Sequence, residues 1–150
     1  MERNMVYEIF QRAFTEVTMK LTEISLQGGN GNIPAECQVR LMLCITGFIE
    51  AEIVCVFASR LYQAIVKAMH GGTLPVEEEC ILYLKEYVNI VCGRAVTMLN
   101  NKIGMSSRLS VPYDCEEAPE RGKAWQETIQ LYFETAYGDM QIMVDYSAQR

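Results

Sequence analysis

Glu86 and Asn89 stand three residues apart, and Gly93 follows one helical turn later. On a helix at about 100° per residue these three fall within about 60° of one another. They lie opposite the apolar stripe Ile81, Leu84, Val88, Val91, Ala95 and Met98. An i, i+3 pair projects its side chains together, and glycine on the same face lets another molecule approach the backbone closely. A glycine inside a helix costs up to about 1 kcal/mol relative to alanine. A carboxylate, a carboxamide and a gap on one exposed face form an edge suited to docking and polar catalysis. A solvated helix surface accounts for the same residues. Sixteen glutamates and six asparagines in 150 residues make one Glu-x-x-Asn an expected accident of composition.

Other chemistries find little support. His70 is the single histidine and stands beside Gly71 at a predicted helix end, where capping explains it. A His-centred triad, a His-His metal site and a zincin helix are thereby excluded. Gly28-Gly29-Asn30-Gly31 lacks the Gly-Lys-Ser/Thr of a phosphate loop and follows a helix where a strand is required, so it reads as a connector. Glu77, Glu78 and Glu79 suit a helix start, where the macrodipole favours negative charge, better than a cation site. The six cysteines (Cys37, Cys44, Cys55, Cys80, Cys92, Cys115) form no Cys-x-x-Cys pair and mostly lie in apolar runs. They are expected to be free thiols packed as small hydrophobes, with no metal bound.

The elements that must position Glu86 and Asn89 follow from periodicity. Val6, Phe10, Phe14, Val17, Leu21 and Ile24 predict an amphipathic helix from Val6 to Ile24. Ser25 to Pro34 reads as a loop. Val39 to Ile45 and Glu52 to Phe57 predict two strands of a hairpin turning at Gly47. Ser59 to His70 is a second helix, stopped by Gly71-Gly72. The long helix starts after Pro75 and ends near Asn100-Asn101 and Gly104. Leu109 to Pro112 reads as a short strand and Tyr113 to Lys123 as a charged loop. Ile129 to Ala136 and Gln141 to Tyr146 are two more strands, turning at Gly138 and Asp139. The predicted order is α, β, β, α, α, β, β, β.

Length and composition bound the rest. A chain of 150 residues, half of them hydrophobic and 21% charged, suits one globular domain spanning residues 1–150. The net charge of −6 argues against nucleic acid or an anionic membrane as partner and permits a partner with a basic rim. The longest apolar run, Ile53 to Ala58, is strand-sized, and the N-terminus shows no signal-peptide core. The chain is expected to be cytoplasmic, with no membrane insertion.

Lys85-Glu86-Tyr87-Val88-Asn89-Ile90-Val91-Cys92-Gly93 resembles the active-site helix of the CheC/CheX/FliY phosphatase family, whose core is Glu-x-x-Asn-(apolar)-x-x-Gly. Arg108-Leu109-Ser110-Val111-Pro112 is similar to the strand ending in Ser/Thr-x-Pro that follows that helix. Thr46-Gly47 with Ile53 to Phe57, and then Met69-His70-Gly71, resemble the family's hairpin and the helix after it. The likeness runs from about Val39 to Tyr146. A single Glu-x-x-Asn places the closer likeness with the CheX branch, which has one site per subunit. Three positions depart from the pattern: Leu82 and Lys85 replace small residues, and Phe48-Ile49-Glu50-Ala51 lacks the hairpin's second glycine.

The resemblance implies an α/β (α+β type) domain with two long helices packed on a mainly antiparallel sheet. It also implies hydrolysis of the aspartyl phosphate of a CheY-like response regulator. Asn89 would orient the attacking water, and Glu86 would pair with the regulator's lysine. Gly93, Lys85 and Leu82 would line the docking surface. No cofactor of its own is implied, because the regulator supplies Mg²⁺, and the assembly implied is a homodimer. The alternative is a catalytically idle adaptor that binds a regulator or a flagellar-switch component, which the departures at Leu82 and Lys85 favour. A sensory domain with a ligand in a sheet–helix cleft finds no convergent polar cluster to support it.

Overall fold

A computed structural model describes residues 2–30, 33, 38–114 and 124–148. Its elements are α1 (Arg3–Thr22), β1 (Gln27–Gly28), β2 (Gln38–Gly47), β3 (Ile49–Ala58), α2 (Ser59–Met69), α3 (Glu77–Ile103), β4 (Ser107–Leu109), β5 (Tyr113–Asp114), β6 (Glu127–Thr135) and β7 (Gly138–Ala148). The strands form one antiparallel sheet in the order β1-β6-β7-β3-β2-β4, with β5 also pairing with β2. Cys37, Cys115 and most of the predicted Tyr113 to Lys123 loop lie outside the described residues.

Alternation along the strands decides which sheet face meets the helices. Leu41 pairs with Cys55, Cys55 with Ile142, and Ile142 with Leu131, so one buried row crosses β2, β3, β7 and β6. A second row runs through Leu43, Ile53, Val144 and Ile129. Directly opposed residues share a face, so each row is apolar throughout. Burying one such side chain contributes about 1.5–3 kcal/mol. The helical layer has three members where the sequence reading named two, because Val6, Phe10, Ala13 and Phe14 bring α1 into the same core.

The β2–β3 hairpin turns at Gly47, whose φ of +129° L side chains rarely adopt. A Cβ there would stand 2.7 Å from the Ser106 carbonyl oxygen, so only glycine fits the approach of the segment leading into β4. Ser107, itself buried, accepts the Ile49 backbone N–H at 3.0 Å and ties that segment to the start of β3.

Several boundaries differ from the sequence reading. α1 ends at Thr22, where Glu23 turns into the left-handed region at φ 60° and Thr22 Oγ1 donates to the Thr18 carbonyl at 2.6 Å. Ile24 is buried but lies beyond the helix. The predicted Ser25 to Pro34 loop contributes β1, anchored by Gly29 N–H to Tyr132 O at 2.9 Å. The strand predicted at Leu109 to Pro112 sits earlier, at Ser107–Leu109, and a second short piece follows at Tyr113–Asp114. Pro112 lies between them, where the missing N–H does least harm at a sheet edge.

Candidate functional site

α3 is a 27-residue helix that begins with three glutamates and is capped by Gly104 in the left-handed conformation. Its buried stripe is Leu84, Tyr87, Val88, Val91, Cys92, Ala95, Val96 and Leu99. Ile81 and Met98, read as members of that stripe, lie half-buried at its margins. Tyr87, which the apolar periodicity left out, is fully buried. Its hydroxyl meets Thr18 Oγ1 of α1 at 2.6 Å, and its ring stands edge-on to Phe57 of β3 at 6.1 Å. Burial pushes the Tyr87 hydroxyl well above its ordinary pKa, although the Thr18 hydrogen bond pulls the other way.

With that stripe facing inward, Leu82, Glu86, Asn89 and Gly93 come out together on the opposite face. Glu86, Asn89 and Leu82 are exposed and Gly93 is half-exposed. Lys85 is half-buried on the flank of this face, about 100° from Glu86 and, four residues before Asn89, about 40° from it around the helix. Among the described residues neither Glu86 nor Asn89 has a hydrogen-bond or ion-pair partner, so both are free to engage another molecule. A Cβ built on Gly93 meets nothing within 4 Å. No internal contact therefore requires glycine there, and its helix-weakening cost has no return within the fold.

The surroundings are apolar in a way periodicity did not show. Of the eight large apolar side chains exposed among the described residues, Leu82 and Ile90 stand on α3 one turn either side of Glu86, and Leu74 and Val76 lie in the segment leading into the helix. Val76 is 61% exposed and Leu82 59%. A single exposed leucine means little, but a cluster of this kind marks an interaction surface. Glu79, Leu82, Tyr83 and Glu86 line a shallow depression of about 370 Å³. Ile90 was discoverable, since it lies four residues from Glu86 and off the buried stripe.

The remaining sequence candidates take structural roles. His70 ends α2: its N–H donates to Val66 O at 2.9 Å, its ring Nδ1 lies 2.8 Å from Thr73 O, and its ring packs against Tyr83. Ser110 belongs to the sheet edge, where its Oγ accepts the Cys44 N–H at 2.8 Å. Cys44, Cys55, Cys80 and Cys92 are not joined in disulfides. Among the described residues no group of three or more His, Cys, Asp or Glu is arranged to hold a metal, and no helix is long and apolar enough to cross a membrane.

This face offers a carboxylate, a carboxamide and a helical glycine, with the exposed apolar side chains Leu82 and Ile90 beside them.

No protein-family model matches this chain, and no curated protein is similar to it. Solved structures are. CheX from Desulfovibrio desulfuricans superposes with a TM-score of 0.75 at 20% identity, covering 95% of this chain and 99% of that one. A CheC-like superfamily protein from Shewanella sp. PV-4 gives 0.77 at 20% identity, covering 99% of this chain and 100% of that one. The CheX–CheY–BeF3–Mg²⁺ complex from Borrelia burgdorferi gives 0.71 at 16% identity over 94% of this chain and 97% of that one.

Proposed function

We propose that this chain, which carries the fold of the CheX and CheC-like chemotaxis proteins, is a phosphatase for the aspartyl phosphate of a CheY-like response regulator. The observation that carries the reading is the exposed face of α3, where Glu86, Asn89 and the uncrowded Gly93 lie together without internal partners. The Borrelia structure, in which a CheX is bound to CheY, supports the choice of partner.

The chemistry asks little of the protein. An acyl phosphate is already activated, and hydrolysis breaks its phosphorus–oxygen bond to return a free aspartate and inorganic phosphate. What remains is to place one water in line with that bond. A carboxamide is suited to this, since it accepts from the water and donates to a neighbouring oxygen without adding charge beside the phosphoryl group. Asn89 holds and orients the water. Glu86, about one turn earlier, pairs with the regulator's lysine and fixes the register of docking. Leu82 and Ile90 bury apolar surface, and Gly93 lets the regulator's backbone sit close to α3. Mg²⁺ arrives bound to the regulator and neutralises phosphoryl charge there. This chain contributes no cofactor.

In this reading the active form is a homodimer. β7 has β6 and β3 on its two sides and is closed to another strand. β6 is different, since β1 pairs with Phe133 and Glu134 and, among the described residues, Glu127 to Leu131 form an open edge. An open edge of that length is a template for another strand.

The test is the decay of a phosphorylated CheY-like regulator with and without the chain. Faster decay, abolished by Asn89→Ala, supports hydrolysis. Tight binding with unchanged decay would instead establish the adaptor, the reading that an exposed leucine at position 82 favours.

A further inference from the structure

We infer that Glu79 is a second docking residue of the α3 face, and that the depression between it and Glu86 receives a basic side chain of the response regulator. The inference rests on the reading of α3 as the regulator-binding helix and extends that surface toward the helix start. Glu79 and Glu86 are seven residues apart, which is a net turn of about 20°. Gly93 is seven further on, so Glu79, Glu86 and Gly93 run almost straight along the helix. Leu82 and Tyr83 stand between the two carboxylates, about 40° and 60° from Glu86 on opposite sides. Glu79, Leu82, Tyr83 and Glu86 line one depression of about 370 Å³. Because Glu86 belongs to both, the depression and the face that holds Asn89 are one continuous surface.

The lining is apolar in the middle, from Leu82 and Tyr83, and anionic at both ends. Lysine and arginine carry the matching pattern, an aliphatic stem that packs on apolar surface and a charged head. Leu82 is 59% exposed, so a stem laid across it covers apolar surface that the fold leaves in water. Tyr83 packs edge-on against the His70 ring at 5.3 Å, and His70 is itself fixed 2.8 Å from the Thr73 carbonyl. That side of the depression is in position before anything binds, which spares the cost of ordering it.

A helix start favours carboxylates, and Glu77, Glu78 and Glu79 all meet that need. They differ in direction. Glu77 falls about 180° from Glu86 around the axis and Glu78 about 80°, so Glu79 alone is aligned with the site. Its side chain is exposed and has no partner among the described residues. Seven residues span about 10.5 Å, beyond the screening length of about 8–10 Å at ordinary salt, so each carboxylate answers to its own cation. Glu86 takes the lysine already assigned to it, and Glu79 takes a second base. A regulator lacking two cations at that spacing is discriminated against, which makes Glu79 a specificity residue.

The experiment titrates the CheY-like regulators of the source organism, activated by beryllofluoride and Mg²⁺, with the unmutated chain and with Glu79→Lys, Glu79→Gln, Glu77→Lys and Glu86→Lys. Glu79→Lys and Glu77→Lys change the net charge and the helix-start complement alike and differ only in direction. Glu79→Lys should raise Kd by on the order of 10-fold and make binding less sensitive to salt. Glu79→Gln, which keeps the shape, should show a smaller loss of the same kind. Glu77→Lys should bind as the unmutated chain does. Single-turnover dephosphorylation at saturation should be unchanged in Glu79→Lys, because that side chain touches none of the reacting atoms. Equal weakening by Glu77→Lys and Glu79→Lys would reduce the effect to the general field of an acidic helix start and overturn the inference. Unchanged binding by both Glu79 variants beside weakened binding by Glu86→Lys would remove the depression from the interface and leave the α3 reading standing. If Glu86→Lys also binds normally, or the unmutated chain binds none of these regulators, the α3 reading fails and this inference with it.

Discussion

Gly93→Ala separates what the fold needs from what a partner needs. The residue lies ten positions from the C-terminal end of α3, well inside the helix, and a methyl group there meets nothing within 4 Å. Its φ is not among the positive values that mark strained glycines in this chain. Alanine should therefore fit without displacement and stabilise the isolated domain by about 0.5–1 kcal/mol through helix propensity and a less mobile unfolded chain. For a chain of this size that is a rise of about 1–4 °C in melting temperature. Docking should respond in the opposite direction. If the regulator's backbone rests against position 93, the methyl overpacks the contact at about 1–3 kcal/mol, or roughly 5- to 150-fold in Kd. Thermal unfolding by circular dichroism and titration with a beryllofluoride-activated regulator measure the two effects. A lower melting temperature would show that glycine serves the fold after all. An unchanged Kd would show that nothing comes near the helix there.

Asn89→Ala should slow single-turnover dephosphorylation on the order of 10²-fold while leaving affinity nearly intact, the signature of a group acting mainly in the transition state. Glu86→Lys should weaken binding itself by placing like charges together, and titration beside decay kinetics distinguishes the two patterns. Tyr87→Phe leaves the buried Thr18 hydroxyl without its partner and should cost about 1–3 kcal/mol in chemical denaturation. Because burial raises the Tyr87 pKa in the folded state, its contribution is whole below the unfolded value of about 10 and is lost as pH rises through the folded one. The unmutated protein should thus lose stability in strong alkali more steeply than Tyr87→Phe does. Light scattering at micromolar concentration should give twice 17.1 kDa, and a monomer mass would remove the β6 edge as a dimer contact.

Where local pattern and tertiary structure agree, the sequence was enough. The apolar spacing in α2 and α3, the glycine stop after α3 and the alternation along β2, β3, β6 and β7 all led to the right elements. It was enough for the face that unites Glu86, Asn89 and Gly93, because helix geometry alone sets it. Tyr87 was left out of the stripe because a phenol can serve either a surface or a core, and Thr18, sixty-nine residues away, decides which. β1 is two residues long and has no periodicity to detect, while Val111 and Pro112 looked more strand-like than the polar Ser107 and Arg108 that actually pair.

The Thr18–Tyr87 hydrogen bond has a mechanical meaning for Asn89. A helix packed by apolar contacts alone can roll about its own axis at little cost, since one greasy stripe slides over another. The amide of Asn89 rides about 5–6 Å from that axis, so a roll of 10° would swing it by about 1 Å. Misplacement on that scale can cost on the order of 10²-fold in rate. Because Tyr87 stands on the far side of α3, two residues from Asn89, its directional bond to α1 works as an azimuthal pin. The first helix of the chain, which contributes no residue to the proposed chemistry, would then set the angle at which the water is aimed.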